Sequence, residues 1–200
     1  VDYANFHGGG LTPDAPNRAA IEYWQQGGLV TISTHLYNPA ETNGYGLRDS
    51  NVDLNALLDT NSETHSRWMN ELDQIADGLQ ELKTNGVVVL WRPFHEMNGN
   101  WFWWGGRTGE YSTKALYIQI YERLVNHHKL NNLVWVWSVD RPTKPGMEFT
   151  NFYPGNKYLD ILALDVYGSD FKQDYYDQLL ALSHGKPITL GEVGSPPAPK

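Results

Sequence analysis

Apolar stretches rich in β-branched and aromatic residues recur at 29–33, 87–94, 133–138, 160–168 and 187–194. Polar residues do not alternate with apolar ones inside them, so they read as strands buried on both faces, the pattern of a parallel sheet. Helical periods lie between them. Trp68, Leu72, Ile75, Leu79 and Leu82 fall on one face of a predicted helix, with Ser62 as its N-cap and Asn85-Gly86 as its stop. A second helix is predicted over 112–128, with Tyr117, Ile120, Tyr121, Leu124 and His128 inward. Shorter helices are expected over 18–26, ending at Gly27-Gly28, and over 174–183. Residues 1–6 read as the end of a further strand.

Strand and helix therefore alternate, which argues an α/β fold with right-handed crossovers. The pattern gives about six βα units, whereas a closed (β/α)8 TIM barrel has eight strands and usually ~250 residues. The expectation is a single domain over residues 1–200, an incomplete (β/α)8 barrel whose first and last strands are missing. No repeat, low-complexity run or linker interrupts it, apart from the Pro-rich end at 195–200.

Charge and composition narrow the partners. The net charge of -8 argues against nucleic acid or an anionic membrane, both of which reward Lys and Arg. The chain has 8 Trp and 12 Tyr in 200 residues. Such rings pair a flat apolar face with a polar handle and suit the faces of sugars, although any single Trp is as readily a core residue. With no cysteine, disulfides and thiolate metal sites are excluded. No apolar run approaches the length of a membrane span, and no signal peptide is present, although a mature secreted protein would have lost one. The lack of an N-x-[ST] sequon mildly favours a bacterial source or a non-glycosylated route. A neutral polymer or a small molecule is compatible with the net charge.

The chemistry concentrates in Trp91-Arg92-Pro93-Phe94-His95-Glu96-Met97-Asn98-Gly99-Asn100-Trp101-Phe102-Trp103-Trp104-Gly105. A buried strand ends in Arg92, His95 and Glu96, and three Trp follow within nine residues of His95. Strand C-termini are where a parallel barrel meets its ligand. A carboxylate walled by indole rings is partly desolvated, which raises its pKa toward that of a useful general acid. The plainer reading is a structural Glu96 paired with Arg92. A second strand-end carboxylate, Glu192, lies in Pro187-Ile188-Thr189-Leu190-Gly191-Glu192-Val193-Gly194, where two Gly would let a substrate approach the backbone. Glycosidic cleavage with retention needs two carboxyl groups about 5 Å apart, one acid/base and one nucleophile.

These two segments resemble the signature regions of glycoside hydrolase family 26, chiefly β-mannanases. The likeness extends to Thr34-His35-Leu36-Tyr37-Asn38-Pro39, Trp137-Ser138, the Tyr-Pro-Gly at 153–155 and Asp165-Val166-Tyr167-Gly168, in order along the chain. It implies a (β/α)8 barrel with Glu96 as acid/base after the fourth strand and Glu192 as nucleophile after the seventh. It further implies His95 and Trp101 beside the cleaved bond, Tyr167 against the nucleophile, and His35 and Asn38 on the glycone side. Arg92, Trp104 and Trp137 complete the expected substrate-binding set. Endo-acting, retaining hydrolysis of the polysaccharide β-1,4-mannan without a cofactor, by a secreted bacterial monomer, is the leading implication. The alternatives are the same machinery on mixed-linkage glucan or β-1,3-xylan, or a carbohydrate-binding barrel without catalysis. One departure is Trp137-Ser138-Val139-Asp140-Arg141-Pro142, where a Ser-Pro is more usual, so the roles of Asp140 and Arg141 stay open.

Other motifs carry less. His95-Glu96 is not HExxH, because Gly99 stands where the second His would be. His127-His128 near a helix end read as exposed or dipole partners rather than metal ligands. Neither Gly8-Gly9-Gly10 nor Gly44-Tyr45-Gly46 completes a phosphate loop, and Gly105-Gly106 reads as the turn of the Trp-rich loop.

Overall fold

The computed structural model describes residues 1–3, 13–41, 46–48 and 52–194. Residues 4–6 of the first predicted strand, Gly8-Gly9-Gly10, Gly44-Tyr45 and the Pro-rich end at 195–200 lie outside the described residues. Five strands, β1 (Val30–Ser33), β2 (Val89–Arg92), β3 (Leu133–Asp140), β4 (Ile161–Tyr167) and β5 (Ile188–Gly194), pair in sequence order. Every pairing is parallel, as uninterrupted apolar runs require. Residues 1–3 add the edge of a sixth strand: Asp2 bridges Ser33, and Ser33 and Tyr3 exchange backbone hydrogen bonds with Val1 and Ser33. The sheet curls into a half-barrel, a partial (β/α)8 fold.

Helices cover its outer face: α1 (Asp14–Gln25), α2 (Leu54–Leu58), α3 (Glu63–Thr84), α4 (Thr113–Tyr121), α5 (Phe149–Phe152) and α6 (Gln173–Ser183). The longest, α3, forms where the 3.6-residue period predicts it. Ser62 accepts from the His65 N–H at 2.9 Å, and Gly86 leaves the helix at φ +72°. Its face of Trp68, Leu72, Ile75, Leu79 and Leu82 is fully buried, each side chain contributing roughly 1.5–3 kcal/mol. No helix among the described residues is long and apolar enough to cross a membrane.

Three expectations need correction. The second predicted helix becomes π-helical over Glu122–His127. That spacing sets Arg123 and His128 on one side, where both grip Asp73 of α3 at 2.7–2.8 Å. Strand β2 stops at Arg92 rather than 94, since Pro93 has no N–H to pair and Phe94 turns left-handed at φ +52°. β5 is not buried on both faces: Leu190 is 49% and Val193 62% exposed. Among the described residues β5 has one neighbour, β4, and its outer edge lies open.

Candidate active site

Two strand ends bring the carboxylates together. Glu96 follows β2 in a left-handed conformation (φ +52°), unusual for a residue with a Cβ and, with Phe94, the kind of local strain found at functional sites. Glu192 comes from β5 through a bulge: Leu164 pairs with Leu190 but Asp165 pairs with Glu192, so Gly191 is the extra residue. A Cβ on Gly191 would overlap Asp165 Oδ1 and come within 2.8 Å of Ser138 Oγ. Gly194 likewise leaves room for the Tyr167 ring. The glycines therefore admit neighbouring side chains, where the sequence had suggested room for substrate. Carboxylate oxygens of Glu96, Asp165 and Glu192 all lie within 4.8 Å of one another.

Arg92 organises this cluster. Its Nη1 donates to Asp165 Oδ2 at 3.1 Å and to Ser138 Oγ at 3.0 Å, and its Nη2 donates to Glu192. Ser138 in turn donates to Asp165 at 2.9 Å, and the Tyr167 hydroxyl donates to Glu192. The alternative pairing of Arg92 with Glu96 is thus replaced by pairing with Glu192. Glu96 instead accepts from the indole N–H of Trp101 at 2.6 Å.

The surroundings push the two glutamates apart electrostatically. Burial raises the pKa of Glu96 from its ordinary value, and the nearby charges of Glu192 and Asp140 add to it against the opposing hydrogen bond from Trp101. Burial also works against the charged form of Glu192. The hydrogen bonds from Tyr167 and Arg92, with the Arg92 charge, outweigh it and hold that pKa below the ordinary value. His95 is held neutral, its pKa pushed down to about 3 by burial and by Arg92, so its ring adds no charge. Burial lifts Asp165 to about 7. A glutamate biased toward its protonated form beside one biased toward its ionised form is the arrangement that acid and nucleophile roles demand.

The remaining predicted residues divide. His35 lies against His95, ring centroids 4.5 Å apart, and its Nδ1 is 2.8 Å from Asp2 Oδ2. His95 is buried, and its Nδ1 has no hydrogen-bond partner among the described residues. Trp101 is half-buried at the mouth of the site. The others have their side chains engaged within the protein. Trp104 is fully buried, stacked on Phe102 at 4.5 Å with its N–H on the His95 carbonyl. Trp137 is fully buried against Tyr153 and Met97. Asn38 is 2% exposed, and its side-chain oxygen closes a local turn by accepting from the Ala40 N–H at 2.9 Å. Arg92 has its guanidinium on three protein groups.

Sequence reasoning gave no role to Asp165 or to Asp2, the partner of His35. The signal for Asp165 was present: a charged residue inside the apolar run at 160–168, two residues before Tyr167 and hence on the same strand face. Nothing local marks Asp2. An apolar depression of about 460 Å³, lined by Leu164, Phe171, Tyr176, Ile188 and Leu190, lies beside β5.

A parallel half-barrel carrying paired strand-end carboxylates defines an α/β-barrel protein with a glycosidase-like centre. The chain belongs to glycosyl hydrolase family 26, whose model matches residues 13–199. It is 39% identical over 191 residues to the mannan endo-1,4-beta-mannosidase A and B of Caldalkalibacillus mannanilyticus, covering 90% of this chain and 36% of that protein. It is 42% identical over 190 residues to a mannan endo-1,4-beta-mannosidase of Bacillus subtilis, covering 89% of this chain and 51% of the relative. The structure of GH26A from a Muricauda species matches with a TM-score of 0.87 at 40% identity, over 99% of this chain and 68% of that one. The chain thus spans about half or less of the length of these curated relatives.

Proposed function

We propose that this chain forms the catalytic centre of a retaining endo-β-1,4-mannanase, with Glu96 as acid/base and Glu192 as nucleophile. The observation that carries the reading is the approach of their carboxylate oxygens to within 4.8 Å. Retaining glycosidases hold the pair about 5 Å apart, whereas inverting ones leave roughly 6.5–9.5 Å for a water. The opposed pKa directions and the mannanase names of the relatives support the same assignment.

In the mechanism, Glu192 is held ionised and in one rotamer by Arg92 and Tyr167 while it attacks the anomeric carbon. Glu96 gives its proton to the departing glycosidic oxygen, which leaves a glycosyl ester on Glu192. Glu96, now a carboxylate, takes a proton from the water that hydrolyses that ester, and both groups return to their starting states. Trp101 fixes the Glu96 carboxyl through its indole N–H. A polymer substrate places the work outside the cell, so secretion is part of this proposal.

Reducing-sugar release by the full-length protein from mannan, glucomannan, lichenan and β-1,3-xylan tests it. Release from mannan and glucomannan is expected. Release confined to lichenan or xylan would move the same machinery to another β-glycan, and release from none would reject an enzymatic role.

A further inference from the structure

The loop after β3, where Asp140-Arg141-Pro142 departs from the expected pattern, connects the two sides of the site. Asp140 is 5% exposed, and its backbone is held from both directions by Asn98, two residues past Glu96. Its N–H donates to Asn98 Oδ1 at 2.8 Å, and its carbonyl accepts from Asn98 Nδ2 at 2.7 Å. Arg141 Nε donates to the Asp140 carboxylate at 3.3 Å. Its Nη1 donates to the backbone carbonyl of Tyr167 and lies 3.6 Å from Asp170 Oδ2. Pro142 restricts the Arg141 backbone to extended conformations.

Beyond the pairing of Tyr167 with Gly194 and the hydrogen bond from the Gly168 N–H to the Gly194 carbonyl, the bond from Arg141 fixes the end of β4 from the side of β3. Tyr167 is the last residue of β4 and is 40% exposed, and the chain turns left-handed directly after it at Gly168 (φ +68°) and Ser169 (φ +61°). Its hydroxyl is one of two donors on Glu192. A small swing of the strand end would carry that hydroxyl off the carboxylate.

We propose that Arg141 is a positioning residue: its guanidinium pins the Tyr167 carbonyl, so that the Tyr167 hydroxyl stays on Glu192, and it ties this side of the site through Asp140 and Asn98 to the loop that carries Glu96. The proposal rests on Glu192 being the nucleophile. Arg141 itself touches neither carboxylate of the pair. Charged and titratable groups facing Glu192 are Arg92, Glu96 and His95 from the β2 side and Asp165 and Tyr167 from β4. Those beside Arg141 are Asp140 and Asp170, the latter also paired with Lys172.

The test is the pH dependence of kcat/KM on mannan for the full-length protein and its Arg141→Ala, Arg141→Lys and Tyr167→Phe forms. Loss of the hydroxyl contact raises the pKa of Glu192, so the acidic limb moves to higher pH. For Arg141→Ala the limb is expected to move up by about half a pH unit or more, and kcat to fall about tenfold with KM within about twofold. Arg141→Lys keeps the charge between Asp140 and Asp170 but not the fork, and moves the limb the same way. It decides the matter alone if Arg141→Ala fails to fold. In a Tyr167→Phe background neither change should shift the limb further. An unmoved limb overturns the proposal, and so does an equal shift in the Tyr167→Phe background, which would mean that Arg141 acts through its field alone. A wild type inactive on every glycan would instead remove the nucleophile assignment on which the proposal stands.

Discussion

Trp101 donates its indole N–H to Glu96 at 2.6 Å, five residues away along the same loop. Gly99 makes this possible, because the Trp101 ring occupies the space that a Cβ there would fill. The bond favours the charged form of Glu96 and so restrains the rise that burial causes. Trp101→Phe is therefore expected to raise the Glu96 pKa and move the alkaline limb of kcat/KM to higher pH. Trp101→Ala, which also removes the ring, should lower kcat/KM by a factor of about ten or more, equivalent to ~1.4 kcal/mol of transition-state stabilisation. Steady-state kinetics from pH 4 to 9 provide the check, and an unchanged kcat/KM for Trp101→Ala in a natively folded protein would place this ring outside the reaction.

Glu96→Ala separates the acid role from general damage. Activity on polymer should be largely lost, while substrates with an activated aryl leaving group, which need no proton to depart, keep most of their rate of ester formation. Added azide should then restore part of the turnover, because this anion attacks the anomeric carbon of the ester directly, releases Glu192 and needs no general base. Equal loss on both substrate types without azide rescue contradicts the assignment.

Gly191 is the bulge residue that turns Glu192 toward Asp165. Gly191→Ala forces its Cβ onto Asp165 Oδ1 and Ser138 Oγ. The expected result is a stability loss of about 1–3 kcal/mol with a fall in kcat larger than any change in KM. Thermal unfolding and kinetics together read this out; wild-type values for both would mean that the bulge tolerates a side chain.

Glu71 of α3 accepts from the Tyr37 N–H at 3.0 Å, and burial raises its pKa from 4.5 to about 8. A carboxyl that binds its proton more tightly in the folded chain contributes stability that is full below its unfolded pKa. That contribution is lost as pH rises from about 4.5 toward about 8, on the order of 1 kcal/mol per pH unit. The Tm of the wild type should therefore fall relative to Glu71→Gln across this window, since Gln keeps the acceptor and does not titrate. Parallel Tm curves for the two proteins would show that Glu71 is already ionised in the fold.

The parts of the fold legible in the sequence are those set by local periodicity and local capping. The buried face of α3 and its Ser62 cap follow from the 3.6-residue repeat, and the parallel sheet follows from unbroken apolar runs. What the sequence hides are relations across strands. The bulge at Gly191, the grip of Arg92 on both Asp165 and Glu192, and Asp2 behind His35 depend on register between segments far apart in the chain. Tryptophan density marked the loop after Glu96 correctly as unusual but could not tell which way each ring faces. Trp101 points to the carboxylate, whereas Trp103 and Trp104 point into the core. Likewise, an apolar run says nothing of whether a strand has neighbours on both sides; among the described residues β5 pairs with β4 alone.

The central claim is that Glu192, held ionised by Arg92 and Tyr167 within 4.8 Å of a protonated Glu96, attacks the sugar and carries it as an ester. The most direct measurement is trapping of that ester. The full-length protein is incubated with an activated 2-deoxy-2-fluoro mannoside, whose fluorine slows hydrolysis of the intermediate, and its peptides are mapped by mass spectrometry. The account predicts one stoichiometric adduct, located on Glu192 and absent from Glu192→Ala. An adduct on another residue, or hydrolysis that proceeds with inversion at the anomeric carbon by NMR and leaves no adduct, would contradict it.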